Sequence, residues 1–220
     1  MKHSVRYGTW LARCKIAIVG VFLSVVPVKA ETVEILALGD SLTQGYGLFE
    51  QDGFVPQLQG WLVDRGQDVR IVNAGVSGDT SAGGFARVEW SLTPEISAMI
   101  VTLGGNDLLR GLAPEETRRN IEGILKVAQA RELAVLLIGM EAPGNFGIEY
   151  KEEFDALYPD LATKYGATYL NTFFAGLGED RTPSSVAQFM QKDGIHPNPE
   201  GVERIVQVVG PKVEELLSKH

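Results

Sequence analysis

The sequence predicts an α/β domain built on a doubly wound, mostly parallel, five-stranded sheet. Five apolar runs of strand length are separated by stretches with helical periodicity, and several runs lack the alternation of a half-exposed strand. Strand–helix alternation of this kind forms right-handed βαβ units, which place helices on both faces of a parallel sheet. The predicted strands are Val33–Leu38, Val69–Val72, Ala98–Leu103, Ala134–Ile138 and Ala167–Leu170.

Two of the intervening stretches carry clear helix signals. Pro114 opens the first, and Glu115 and Glu116 follow it at the positive end of the helix dipole. The buried face of this helix is then marked by Ile121, Ile124, Leu125 and Ala128. The same spacing recurs near the C-terminus in Val202, Ile205, Val206 and Val209. We expect that second helix to be interrupted at Gly210-Pro211, because proline fits poorly inside a helix.

The first thirty residues predict a secretory signal peptide. They carry five basic residues and no acidic one, and an apolar run from Ile16 to Val28 follows the basic stretch. Val28 and Ala30 then stand where a signal peptidase reads small or aliphatic residues. The apolar run is too short to span a bilayer comfortably; an uncleaved amphipathic anchor is the alternative. In a chain of 220 residues, we expect residues 1–30 to be the signal peptide and residues 31–220 a single domain.

Removal of this leader makes the chain strongly acidic. The formal net charge moves from −8 to −13, because five positive charges leave with residues 1–30. So acidic a surface argues against nucleic acid and against anionic membranes as partners. Cys14, the one cysteine, also leaves, which excludes a cysteine nucleophile, a disulfide and thiolate metal ligands. We predict a secreted protein of the bacterial periplasm, with no stable membrane anchor after cleavage, no metal ion and no cofactor.

A candidate nucleophile follows the first predicted strand. That strand leads straight into Gly39-Asp40-Ser41-Leu42-Thr43, so Ser41 lies at the carboxyl edge of the sheet, where sites form in open α/β folds. A hydroxyl on such a turn is exposed, and the backbone N–H of the same residue can help to bind an oxyanion. Equally, a serine in this position can simply cap the following helix.

The histidines of the chain favour the nucleophile interpretation. His3 lies in the leader and His220 is the last residue, which leaves His196 as the candidate base. Asp193 precedes His196 by three residues, so a turn would let its carboxylate accept from Nδ1–H while Nε2 faces the substrate. In such a triad Ser41 attacks, the histidine moves the proton and the aspartate fixes the tautomer. The alternative is a loop histidine that is bonded to a carboxylate for structural reasons.

Two polar segments at the same edge offer donors for an oxyanion. The segment 73–80 follows the second strand, and its glycines allow the backbone to approach a ligand closely. Gly104-Gly105-Asn106-Asp107 follows the third strand and adds the amide of Asn106. Each segment by itself can be a plain turn. Chemistry alone does not choose between Gly75 and Gly78.

The order of the four motifs GDSL, SGDT, GGND and DGIHP resembles the four sequence blocks of the SGNH/GDSL hydrolase family. The chain resembles most the secreted acyl-CoA thioesterase I/lysophospholipase L1/arylesterase group, over essentially the whole mature length. The resemblance implies a three-layer α/β/α sandwich and a triad of Ser41, Asp193 and His196. It also implies an oxyanion hole made by the N–H groups of Ser41 and Gly78 and the side chain of Asn106. The implied substrates are small-molecule acyl esters or thioesters.

Other sequence signatures are absent, and two alternatives stay open. Thr43 stands where a G-x-S-x-G elbow would need glycine, and no phosphate-binding or dinucleotide motif occurs. One alternative is a carbohydrate O-acetyl esterase, and the other is a non-catalytic flavodoxin-like module that binds a flavin or a sugar. The segments 142–147 and Phe173–Phe189 are expected to be loops that flank the site. The second is partly acidic, so the sequence does not predict the natural substrate or the acyl-chain length.

Overall fold

The computed structural model describes residues 1–4, 8 and 32–219 of the chain. The signal peptide predicted for residues 1–30 lies outside the described residues, apart from 1–4 and 8, so it stays a prediction. The chain divides into two compact units, Met1–Ala30 and Glu31–His220, and the fold given below is that of the second. Within the described residues, no helix is both long and apolar enough to cross a membrane.

The second unit alternates strands and helices along its length. The strands are β1 Val33–Gly39, β2 Val69–Gly75, β3 Ile96–Thr102, β4 Ala134–Ile138 and β5 Thr168–Leu170. The helices are α1 Ser41–Gln44, α2 Phe54–Val63, α3 Ser81–Ser91, α4 Gly105–Leu109, α5 Pro114–Ala130, α6 Ile148–Tyr165, α7 Pro183–Val186 and α8 Pro199–Leu217. Short 3₁₀ turns lie at Glu50–Asp52, Gly144–Phe146, Phe173–Leu177 and Ala187–Phe189.

The strands of the described chain form one parallel, five-stranded sheet in the order β2-β1-β3-β4-β5. This order is that of flavodoxin-like sheets, in which ligands bind where the strand order reverses. β1 lies at that reversal, and its last residue, Gly39, pairs with Gly75 on one side and Thr102 on the other. The three strands therefore end together. The predicted fold class is confirmed.

Helices cover both faces of the sheet. α2 packs against α8, whereas α3, α5 and α6 pack side by side. The inner strands β1, β3 and β4 are buried over most of their length and lack alternation because both of their faces are covered, whereas the edge strand β2 alternates between buried and exposed residues at its start. The side chains of the sheet that are shielded completely include Ile35, Leu36, Leu38, Met99, Ala98 and Leu136. The result is the three-layer α/β/α sandwich that the family resemblance implied.

Some element boundaries differ from those predicted by hydrophobicity. The prediction ended β2 at Val72, but pairing with β1 continues to Gly75, because ladder hydrogen bonds do not require apolar side chains. The segment 173–189 is not a plain loop, since it contains α7 and two 3₁₀ turns. Its Phe173, Leu177 and Phe189 are buried, which explains why this polar stretch is ordered.

The predicted interruption at Gly210-Pro211 is wrong, because α8 continues to Leu217. A proline inside a helix costs about 3 kcal/mol. Val213 and Leu216 follow it and are almost fully buried, and burying two such side chains stabilises by about 1.5–3 kcal/mol each. Packing explains the glycine at position 210, because a Cβ on Gly210 would lie 2.5 Å from the ring of Trp61 in α2.

Candidate active site

Ser41 is the first residue of α1, and only Asp40 separates it from the end of β1. The residue that caps this helix is Asp40, whose carboxylate accepts a hydrogen bond from the backbone N–H of Leu42 at 3.0 Å. The Ser41 hydroxyl is therefore not used as the cap. Its Oγ lies 2.9 Å from Nε2 of His196, which is 155 residues away in the chain.

A single turn holds His196 and Asp193 together. Nδ1 of His196 lies 2.7 Å from Oδ2 of Asp193, and Gly194 adopts a φ of +68° that lets the chain reverse between them. The other carboxylate oxygen accepts from the backbone N–H groups of Ile195 at 2.9 Å and His196 at 3.0 Å. The hydrogen bond from the imidazole, followed by the two backbone bonds, lowers the pKa of Asp193 to about 2. An ionised Asp193 only accepts, so Nδ1 carries a proton, and in the neutral imidazole Nε2 is then the nitrogen that can accept from Ser41.

The structure distinguishes the two glycines between which chemistry alone could not choose. A Cβ on Gly75 would lie 2.3 Å from the backbone nitrogen of Gln44, so this glycine is required by the close approach of α1 to β2. Gly78 has open space around it and a φ of +83°. Gly78 lines the same cavity as Ser41 and His196. Of these two glycines, Gly78 is therefore the one that lines the cavity.

Asn106 lies in the first turn of α4, at the end of the neighbouring strand β3. It lines the cavity with Ser41, Gly78 and His196. Its Nδ2 donates to Oδ2 of Asp40 at 3.2 Å. Asp193, the remaining predicted residue, lies behind the imidazole on the side away from Ser41. The five predicted site residues are therefore brought together at the carboxyl edge of the sheet.

A buried aspartate holds the helices behind the site. Asp107 is fully buried in α4, and its carboxylate accepts from the backbone N–H of Ser81 at 2.8 Å and the hydroxyl of Thr117 at 3.1 Å. The hydroxyl of Ser81 also donates to it. These bonds tie α4 to the first turns of α3 and α5. Sequence reasoning had placed Asp107 in the GGND motif without giving it this function.

The guanidinium of Arg87 on α3 supports the loop that carries Gly78. Its three nitrogens donate to Asp79 at 2.7 Å, to the carbonyl of Ala74 at 2.8 Å and to the carbonyl of Gly39 at 2.8 Å. The ends of β1 and β2 and the loop after β2 are thus joined by one side chain. From the solvent side, Arg110 donates to the carbonyl of Gly78 at 2.8 Å. No motif in the sequence marked Arg87.

The cavity beside Ser41 has a volume of about 1140 Å³ and is lined by residues that follow the carboxyl ends of the strands. Both segments expected to flank the site line it. Its apolar lining includes Leu108, Met140, Ala142, Phe174, Val186 and Met190. Glu141 and Arg181, also in the lining, form an ion pair of 2.6 Å. Among the described residues, no group of three His, Cys, Asp or Glu side chains is arranged to hold a metal ion.

Comparison with known proteins gives related sequences and folds. The model of the GDSL-like Lipase/Acylhydrolase family matches residues 37–204. The chain is 39% identical over 190 residues to Esterase TesA of Pseudomonas aeruginosa, covering 86% of this chain and 92% of that protein. It is 34% identical over 200 residues to Thioesterase 1/protease 1/lysophospholipase L1 of Escherichia coli K12, covering 90% and 91%. The crystal structure of AlinE4, a SGNH-hydrolase family esterase, superposes with a TM-score of 0.69 at 43% identity, covering 86% of this chain and 98% of that one.

Proposed function

Because this chain belongs to the GDSL-like lipase/acylhydrolase family, we propose that it cleaves carboxylic esters or thioesters with Ser41 as the nucleophile. The observation that carries the proposal is the aligned set of contacts from Ser41 Oγ through both ring nitrogens of His196 to Asp193, at 2.9 and 2.7 Å. A binding module has no need of this arrangement. Two relatives of the chain are named as an esterase and a thioesterase, which agrees with an enzyme that acts on carboxylic esters.

The proposed reaction proceeds through an acyl-enzyme. Oγ of Ser41 attacks the acyl carbonyl carbon while Nε2 of His196 takes the hydroxyl proton, and ionised Asp193 stabilises the imidazolium. The carbonyl oxygen becomes an oxyanion, which accepts from the N–H groups of Ser41 and Gly78 and from the amide of Asn106. As the carbon–oxygen or carbon–sulfur bond breaks, His196 returns the proton to the leaving group.

Hydrolysis of the acyl-enzyme repeats these steps with water as the nucleophile. His196 removes a proton from the water, a second oxyanion forms in the same hole, and Ser41 leaves with the proton that His196 gives back. The products are an alcohol or thiol and a carboxylic acid.

The cavity favours acyl groups larger than acetyl. Its volume of about 1140 Å³ exceeds the range of about 300–1,000 Å³ typical of small-ligand pockets. An acetyl group would leave most of its apolar wall in contact with water, whereas a longer acyl chain would cover side chains such as Met140 and Phe174. We therefore prefer an acyl esterase or thioesterase to a carbohydrate O-acetyl esterase.

Removal of the Ser41 hydroxyl tests the proposal. Wild-type protein, Ser41→Ala and a control, Ser97→Ala, are assayed with p-nitrophenyl esters from acetate to palmitate. Ser97 lies at the amino end of β3, on the opposite edge of the sheet, and donates to a backbone carbonyl there. Ser41→Ala should lose several orders of magnitude in kcat and all labelling by a fluorophosphonate, with an unchanged melting temperature. Normal turnover by folded Ser41→Ala would refute the nucleophile.

We also propose that residues 1–30 direct export to the periplasm and are then removed. The basic, apolar and small-residue regions of the leader support this location. Mass spectrometry of the protein recovered from the periplasm should give a chain that starts at Glu31. An exported chain that retains residues 1–30 would contradict the cleavage.

A further inference from the structure

Asp40 is a buried carboxylate that the proposed reaction leaves without a function. It is 1% exposed and lies between the end of β1 and the nucleophile. Its two oxygens accept from different elements: Oδ1 from the N–H of Leu42 in α1 at 3.0 Å, and Oδ2 from Nδ2 of Asn106 in α4 at 3.2 Å. One carboxylate thus joins the segment that presents Ser41 to the amide of the proposed oxyanion hole.

Helix capping does not explain why this residue carries a charge. Asparagine caps a helix about as well as aspartate does. Burial is the largest influence on Asp40 and raises its pKa to about 6, against the hydrogen bonds from Leu42 and Asn106 and the charge of His196. The nearby charge of Asp107 raises it further. Burial of the ionised carboxylate therefore costs free energy of folding. Capping of α1 alone would not require this charge.

The contact with Asn106 gives the carboxylate a chemical purpose. A side-chain amide can face a neighbour with its oxygen or its nitrogen, but an ionised carboxylate only accepts hydrogen bonds. Asp40 therefore obliges Asn106 to turn its NH₂ group inward. One N–H is then engaged by Oδ2, and the direction of the second N–H is fixed with it.

We propose that Asp40 is a positioning residue for the oxyanion hole, which fixes the amide of Asn106 so that an N–H, and not the carbonyl oxygen, faces the developing charge. This inference rests on the proposed function, because it needs an oxyanion to form beside Ser41. With the amide reversed, its oxygen would repel that oxyanion. Asp40 would not touch the substrate, since it acts through Asn106.

The substitution Asp40→Asn separates the cap from the positioning. Its side-chain oxygen can still accept from Leu42, but its NH₂ group would face Nδ2 of Asn106, donor against donor. Asn106 should then turn or move away. We expect kcat to fall by roughly 10- to 100-fold with KM little changed, within the limit of about 10²–10³ for losing one oxyanion donor. The matched control is Asp68→Asn, at the amino edge of the sheet, where the carboxylate accepts from Thr32.

A double-mutant cycle with Asn106→Ala decides whether Asp40 acts through Asn106. If it does, the double variant should turn over as slowly as Asn106→Ala alone, because the amide to be positioned is already missing. Losses that multiply, or a wild-type kcat in Asp40→Asn, would overturn the inference. A lower melting temperature with normal kcat per folded molecule would make Asp40 a structural cap only.

Failure of this inference can be distinguished from failure of the proposed function. If Ser41→Ala keeps full activity, the nucleophile is wrong, and the positioning by Asp40 is rejected together with the proposed function. If Ser41→Ala is inactive while Asp40→Asn turns over normally, the proposed function stands and only the positioning by Asp40 is rejected.

Discussion

The two halves of the candidate site are built in opposite ways. The proton-transfer half consists of Asp193 and His196 and is local, because these residues are three apart in one turn. The side chain of Asp193 is 36% exposed. The oxyanion half is assembled from distant parts of the chain. Asp40 and Asn106 are 66 residues apart, and the supporting Asp107 is fully buried and bonds Ser81, 26 residues away.

This difference predicts which substitutions lower kcat alone and which also lower the stability of the fold. A substitution in an exposed turn removes few of the contacts that hold the domain together, so it should affect kcat alone. A substitution behind the oxyanion half breaks buried hydrogen bonds between helices and strand ends, so it should affect folding as well. Three predictions test the comparison.

The largest effect on kcat is expected from Asp193→Asn in the proton-transfer half. The variant keeps the shape of the side chain but presents an amide to Nδ1, which favours the wrong tautomer of His196. The equivalent substitution in a serine protease triad lowers kcat by about 10⁴-fold, and we expect a loss of similar order here. The melting temperature should change little.

Parallel measurement of kcat and thermal unfolding checks this prediction. The control is Asp180→Asn, also on an exposed loop, where the carboxylate accepts from the N–H of Thr182. A large loss of stability in Asp193→Asn would mean that the turn is part of the folding core. The distinction between the two halves would then fail.

The same contrast explains what the sequence could predict. His196 and Asp193 were recognisable because their spacing places both in one turn, and Ser41 because a buried strand runs into it. The apolar runs predicted the five strands for a similar reason, since each is a local pattern. The family resemblance was needed to prefer Gly78 to Gly75.

Interactions between distant elements could not be predicted in this way. Arg87 reaches three strand-end or loop residues from the middle of a helix, and nothing near it in the sequence marks that position. The continuation of α8 past Pro211 depends on burial of Val213 and Leu216, which local proline chemistry does not reveal. Asp40 was visible in its motif, but its bond to Asn106 requires β1 and β3 to be neighbours.

An intermediate effect is expected in the pH dependence of stability, through the buried Asp40. Its pKa is about 6 in the folded chain and 3.8 in the reference state, so between these values the folded form binds more protons. The free energy of unfolding should therefore fall as pH rises from about 4 to 6, by up to about 3 kcal/mol from this group. Asp40→Asn lacks this titration.

Denaturant unfolding of both proteins at several pH values measures the effect. Other titrating groups cancel in the difference between the two curves. Stability should shift in favour of Asp40→Asn as the pH rises from 4 to 7, whatever the constant offset between the proteins. A difference that does not vary with pH would show that Asp40 does not titrate as a buried carboxyl.

The smallest effect is expected from Arg110→Met, which tests whether the Gly78 loop is held from inside or from the solvent. Arg110 reaches the Gly78 carbonyl through an exposed hydrogen bond of 2.8 Å, and such contacts contribute about 1 kcal/mol or less.

The matched variant, Arg87→Met, removes three partly buried bonds to Asp79, Ala74 and Gly39. We expect less than about a tenfold loss in kcat and a melting temperature lowered by at most about 2–4 °C for Arg110→Met, against roughly 2–3 kcal/mol of lost stability for Arg87→Met. That loss corresponds to a melting temperature about 4–12 °C lower. Equal losses of stability in both variants would mean that the exposed bond from Arg110 holds the Gly78 loop as strongly as the buried bonds from Arg87 do. The oxyanion half would then not depend on buried contacts, and the comparison would fail.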